Sequence, residues 1–230
     1  MNFKKVFFDT IDSTNTYLIN NYQSYDNNTI IISKTQTNGR GQKNNVWESQ
    51  IGGLYFSILL KPYKINTLIS LIAGISVLET LKYFSDKDFK IKWPNDILLN
   101  DTKKKISGIL VESKVINNEV KYLIVGIGIN INQDCLLDNA ISLKNLENKE
   151  FDLNNILDYF LNKFQENIKY DDDFIIEKIN NNLFGKNNFF EILMNDNIIK
   201  AKILCVNKEG HLIVNCDNKE IKILSGRILL

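Results

Sequence analysis

The hydrophobic pattern of this chain changes character once, near Phe189, and no uniform architecture suits both sides of the change. Upstream, short β-branched and aromatic runs at Val6–Asp9, Thr29–Lys34 and Leu54–Leu60 read as strands. They alternate with longer segments of helical period at Thr67–Phe84, Asn154–Ile168 and Asp172–Asn182. Three closely spaced strands, "KIKW", "KISGILVES" and "YLIVGIGIN", lie between. A further helix follows "DST", where Ser13 or Thr14 caps a stretch carrying Tyr17, Leu18 and Tyr22. Downstream of Phe189, apolar and polar residues alternate in short runs broken by "NKEG" and "CDNKE", the pattern of a small all-β barrel. "LFGKNN" (Leu183 to Asn188) reads as the hinge. The expectation is an α+β domain over residues 1–183 and a β-barrel domain over residues 184–230.

Charge and special residues narrow the chemistry. The net charge is +1, so no bulk field favours nucleic acid or an anionic membrane as partner. The longest apolar stretch, Thr67–Phe84, carries Ser70, Ser76, Glu79 and Lys82, which makes it a buried amphipathic helix rather than a membrane span. The first residues show no export signal, so a cytoplasmic location is expected. Three cysteines, Cys135, Cys205 and Cys216, lack metal-type spacing, and an odd count argues against a disulfide framework. The single histidine, His211, falls where a turn enters a strand and reads as an exposed edge residue. The chemistry is expected to use neither thiols nor imidazole.

Four segments carry polar groups at strand ends. "GRGQKN" and "GIGIN" both fail the glycine-rich nucleotide fingerprints, because Asn44 and Ile131 stand where the last glycine belongs. Arg40 lies between Gly39 and Gly41, in either a plain surface turn or a backbone that approaches a ligand closely. Trp47, at the end of the same loop, suits a core position or a stacking platform. In "KWPND", Pro94 holds Trp93 extended and ends the strand, placing Asn95 and Asp96 at a turn with Lys92 just before. In "KKKISGILVES", the lysines guard an edge, or Lys105 neutralises an anion with open space at Gly108. Asn130 closes an apolar strand beside two glycines.

Taken in order, "DSTN", "GRGQ…W", "LYFSILL", "KWPND", "KISGILVE" and "GIGININ" resemble the biotin–protein ligase family. The resemblance runs from about Phe3 to Leu230, with "KEGHLIV" and "SGRILL" similar to that family's C-terminal barrel. It implies a mixed β-sheet backed by helices, of the class II aminoacyl-tRNA synthetase-like kind, and a small SH3-like barrel. It implies a biotin–acetyl-CoA-carboxylase ligase that makes biotinyl-5′-AMP from biotin and ATP with Mg²⁺, then transfers biotin to a lysine of a biotin carboxyl carrier protein or domain. On the same basis Arg40, Lys105 and Asp96 are expected to be catalytic. Ser13, Thr14, Asn15, Gln36, Gly39, Arg40, Gly41, Gln42, Lys105 and Gly108 are expected around biotin. Arg40, Trp47, Lys92, Trp93, Asn95 and Asn130 are expected around the nucleotide, with magnesium carried by ATP near Asp96.

Two departures and two rivals accompany the resemblance. Gln42 and Asn45 stand where the family commonly has arginine, and an amide is a weaker phosphate contact than a bidentate cation. "DSTN" at Asp12 leaves no room for the helix-turn-helix of the family's repressors, so no operator binding is expected. A lipoate–protein ligase shares the implied fold and chemistry, and a non-catalytic biotin- or nucleotide-binding relative would keep the pocket alone. Edge-to-edge pairing of two sheets would give a homodimer.

Overall fold

The computed structural model describes residues 2–61, 67–117, 119–135, 137–194 and 197–230. Seven strands form one sheet: β1 (Lys4–Ile11), β2 (Thr29–Gln36), β3 (Leu54–Leu60), β4 (Phe89–Lys92), β5 (Asp96–Leu99), β6 (Lys105–Ile116) and β7 (Glu119–Ile129). Their order is β1-β2-β3-β7-β6-β5-β4, with β1 and β2 parallel and every other pair antiparallel. The sheet is mixed, as expected. The chain also forms α1 (Thr14–Asn21), α2 (Ile69–Phe84), the short α3 (Leu143–Glu147), α4 (Leu153–Asn167) and α5 (Asp172–Asn181).

Strand periodicity assigns the two faces. Ile30, Ile32, Phe56, Ile58, Val125 and Ile127 belong to the large core under α2, α4 and α5. The intervening Ile31, Leu59, Tyr122 and Ile124 face the other way and pack with Leu18 of α1. Helix α2 is buried along most of its length, with Ser76 and Thr80 returning hydrogen bonds to carbonyls one turn back. Both faces are therefore covered near β3 and β7, but α1 is only two turns long and leaves the β6 end of its face open.

A second antiparallel sheet follows, built from β8 (Phe189–Met194), β9 (Asn197–Val206), β10 (Leu212–Cys216), β11 (Lys219–Ile223) and β12 (Arg227–Ile228), in the order β11-β10-β9-β8-β12. It is pinned to the first part of the chain at several points. The Asn180 side chain on α5 donates to the Val206 carbonyl and accepts from the Val206 amide, at 2.9 and 2.7 Å. The Trp93 indole donates to the Gly210 carbonyl at 2.9 Å. Leu183 bridges to Ile91, and Leu183 and Phe184 are both buried, so the start of the segment read as a hinge is packed. No helix among the described residues is long and apolar enough to cross a membrane.

Candidate functional site

On the face packed by α1, β7 reads Tyr122, Ile124, Gly126, Gly128: Gly126 makes room for Asn15 of α1, and Gly128 for Trp47 of the loop. Gly128 pairs directly with Gly108 of β6, so two adjacent strands present bare backbone side by side. The floor is shaped to accept a ring. A Cβ on Gly128 would lie 2.5 Å from Cε2 of Trp47, and one on Gly108 would lie 2.9 Å from its Cζ3. The Trp47 indole lies on this pair, and its buried N–H has no acceptor among the described residues. An orphaned buried donor costs about 1–3 kcal/mol. A cleft of about 690 Å³ opens above, walled by the loop that carries Arg40, by β5 and β6, and by Gly226, Arg227 and Leu230 beside β12.

The loop is a folded object. Arg40 and Val46 form a bridge, the Gly41 amide donates to Asn45 O at 2.7 Å, and the Trp47 amide donates to Gly39 O at 2.9 Å. A 3-10 turn at Gln42–Asn44 closes it, with Lys43 at φ +53°. A side chain at Gly39 would meet Ser49 Oγ at 2.7 Å, so Gly39 serves the fold of the loop and does not line the cleft.

Two carboxylates organise the cations. Arg40 NH2 and NH1 donate to Glu112 Oε1 and Oε2 on β6, at 2.9 and 3.1 Å. Lys105, the first residue of β6, has its Nζ 2.6 Å from Asp96 Oδ1 and 5.0 Å from the Trp47 ring centroid. Lys92 Nζ lies 3.8 Å from the other oxygen of Asp96. Burial holds the Lys92 ammonium below the ordinary lysine range; Asp96 opposes this shift, while Lys105 and Arg227 add to it. Asp96 is the first residue of β5 and pairs with Lys92 across a tight hairpin through the cis Trp93–Pro94 bond. The expected turn thus lies at Trp93–Asn95, and Asp96 opens a short strand that was not anticipated.

A buried polar network lies beside α1. Ser13 caps the helix, its hydroxyl accepting from the Thr16 amide. Gln36 Oε1 accepts from both the amide and the hydroxyl of Thr14, and its Nε2 donates to Ser49 Oγ at 2.7 Å. Ser57, fully buried on β3, has its hydroxyl 2.7 Å from Thr14 Oγ1 and 2.5 Å from Asn15 Oδ1. The Asn15 amide donates to Leu110 O and to Glu112 Oε2, at 3.2 and 2.8 Å. Both of its N–H groups are therefore used inside the protein.

Ser13, Thr14, Asn15, Gln36, Arg40, Gly41, Gln42, Trp47, Lys92, Trp93, Asn95, Asp96, Lys105 and Gly108 all border the one cleft. Gly39 and Asn130 lie outside the cleft lining, and Trp93 and Asn95, which border it, also hold structural partners. Trp93 is a core residue, only 3% exposed, with its indole N–H committed to Gly210 O. Asn95 ties the hairpin to β6 by exchanging hydrogen bonds with Ile109. Asn130 is buried outside the cleft lining, where its carbonyl accepts from Gln133 and its amide donates to Lys105 O. The sequence reading passed over Glu112, Ser57 and Arg227, and noted the two glycines of "GIGIN" only as neighbours of Asn130. Glu112 ends the segment "KISGILVE", and its signal was a lone carboxylate on the open face of a strand two and four residues beyond Leu110 and Gly108.

The model of the biotin/lipoate A/B protein ligase family matches residues 7–130, more than half of the chain, and the chain belongs to that family. Within it, the similarities reported next are to biotin ligases. The chain is 34% identical over 148 residues to the bifunctional ligase/repressor BirA of Bacillus spizizenii, covering 60% of this chain and 45% of that protein. It is 33% identical over 171 residues to biotin–protein ligase 2 of Arabidopsis thaliana, covering 67% and 50%. It thus spans about half the length of these curated relatives. The solved biotin protein ligase of Aquifex aeolicus, in complex with biotin and ATP, superposes with a TM-score of 0.85 at 30% identity, covering 98% of this chain and 97% of that one.

Proposed function

We propose that the chain is an ATP-dependent biotin–protein ligase. In the first step a biotin carboxylate oxygen attacks the α-phosphorus of ATP, and the bond to the departing pyrophosphate breaks. In the second, a carrier lysine amine attacks the carbonyl carbon of biotinyl-5′-AMP, releasing AMP and a proton as the amide forms. The relatives' names and the solved complex with biotin and ATP support this reading. The carrier is a biotin carboxyl carrier protein or domain.

One observation carries the proposal: Lys105 and Arg40 border the same cleft, above a floor of paired glycines. Phosphoryl transfer needs positive charge on non-bridging oxygens and little covalent help, and these two cations provide it. Cys135 is pushed towards the neutral thiol by burial, and His211 stands beside Glu209 away from the cleft lining, so the mechanism relies on neither. Among the described residues no group of three or more His, Cys, Asp or Glu side chains forms a metal cage. Magnesium would enter with ATP and neutralise phosphate charge, and Asp96, beside Lys105 and Lys92, is the carboxylate we assign to it. We assign catalysis to residues 1–183 and the barrel to residues 184–230.

The test is incubation with biotin, ATP, Mg²⁺ and a carrier domain, reading the carrier's mass. A gain of one biotin, absent without ATP and absent with lipoate in place of biotin, is expected. An unmodified carrier alongside accumulating adenylate would leave an activating but non-transferring protein, and no product with biotin would overturn the reading.

A further inference from the structure

Glu112 joins the buried network beside α1 to the cation of the loop. Its Oε2 accepts from Asn15 Nδ2 at 2.8 Å and from Arg40 NH1 at 3.1 Å, while Oε1 accepts from Arg40 NH2 at 2.9 Å. Both ends are partly shielded, with side chains 24% and 39% exposed for Glu112 and Arg40. A planar guanidinium facing a carboxylate through two parallel bonds has a fixed plane, unlike a lysine on a flexible stem. Arg40 has five N–H donors. Two go to Glu112 and one reaches Thr16 Oγ1 at 3.5 Å, which leaves two for the cleft that Arg40 borders. The rest of the loop offers no second arginine, since Gln42 and Asn45 occupy the neighbouring positions.

We propose that Glu112 is a positioning residue: through the Arg40 ion pair it docks the loop on β6 and orients Arg40's remaining donors on the phosphate of the bound acyl-adenylate. The inference rests on the ligase reading above and adds to it a residue that acts through Arg40. Its opposite is equally concrete. If Glu112 were only an internal counter-ion that an anionic ligand must displace, removing its charge would tighten adenylate binding.

Glu112→Gln decides between them, because the amide keeps the shape and removes the charge. Release of labelled biotinyl-AMP should accelerate about tenfold, and the change should vanish in the Arg40→Ala background, where Glu112 has nothing to orient. Hydrogen exchange in the ligand-free variant should quicken at the Gly41 and Trp47 amides and stay unchanged at Val125 and Ile127. Slower or unaltered release, an effect that adds to that of Arg40→Ala, or exchange that rises uniformly would each overturn the proposal. A wild-type protein that makes no adenylate would overturn the ligase reading and this inference together. Adenylate formation with equal release from wild type and E112Q would overturn this inference alone.

Discussion

The Lys105 ammonium stands 2.6 Å from a carboxylate oxygen of Asp96, at the edge of the paired glycines. The two residues come from strands β6 and β5, and Asp96 lies opposite Gly108 in the register, so strand pairing brings them together. Asp96 also faces Lys92 at 3.8 Å. One carboxylate thus restrains two cations whose mutual repulsion would otherwise spread them.

Burial depresses the pKa of Lys92 from the ordinary value of 10.5, and this has a sign that can be checked. Between the lowered value and 10.5 the unfolded chain binds more protons than the folded one, so stability rises with pH across that window and the cost is fully present below it. Lys92→Met removes the buried charge and leaves Asp96 with Lys105. The variant should melt higher than wild type at pH 7, by about 2–4 °C for each kcal/mol relieved. That advantage should shrink towards pH 10. A variant melting lower at pH 7, with a gap independent of pH, would contradict the account.

The glycine floor makes a second prediction. Gly128→Ala places a methyl 2.5–2.8 Å from three atoms of the Trp47 ring, so the indole must shift. Overpacking of this kind costs about 1–3 kcal/mol. Fluorine NMR of fluorotryptophan-labelled protein should show the Trp47 signal move while that of buried Trp93 stays. An unmoved Trp47 signal would show that the ring does not rest on β7.

Asn15 tests the buried network. Asn15→Asp keeps the shape but replaces two donors with an acceptor facing Leu110 O and the Glu112 carboxylate. Lost donors and like-charge repulsion should cost about 2 kcal/mol, lowering the melting temperature by roughly 4–8 °C. Thermal unfolding at neutral pH checks this, and an unchanged midpoint would mean that the network is not formed.

Much of the architecture was legible because periodicity reports burial directly. The strand expected at Leu54–Leu60 is β3, and the helix expected to Phe84 is α2. Strand β5 escaped because "DILL" is only four residues long and follows a Pro-Asn turn signal that also explains its first residue. The short α3 escaped because five residues carry too little helical period. In the site, residue type beside strand ends pointed to Arg40, Lys92, Lys105 and Gly108, which border one cleft. The hydrogen bonds of Trp93 and Asn130 were not legible, because their partners, Gly210 and Gln133, are brought near only by the fold. Glu112 was hidden for a related reason: a charge on an exposed strand face looks solvated until the loop carrying Arg40 folds onto it.

The central claim is that Lys105, with Arg40, neutralises the oxygens between the acid and the phosphate as the adenylate forms. Biotin-dependent exchange of labelled pyrophosphate into ATP measures that step without a carrier. Wild type should exchange only when biotin is present, and Lys105→Ala should lose exchange by at least about a thousandfold, of the order seen when a charge-stabilising group is removed, while its melting temperature stays close to that of wild type. Exchange by folded Lys105→Ala at a near-wild-type rate would contradict the account.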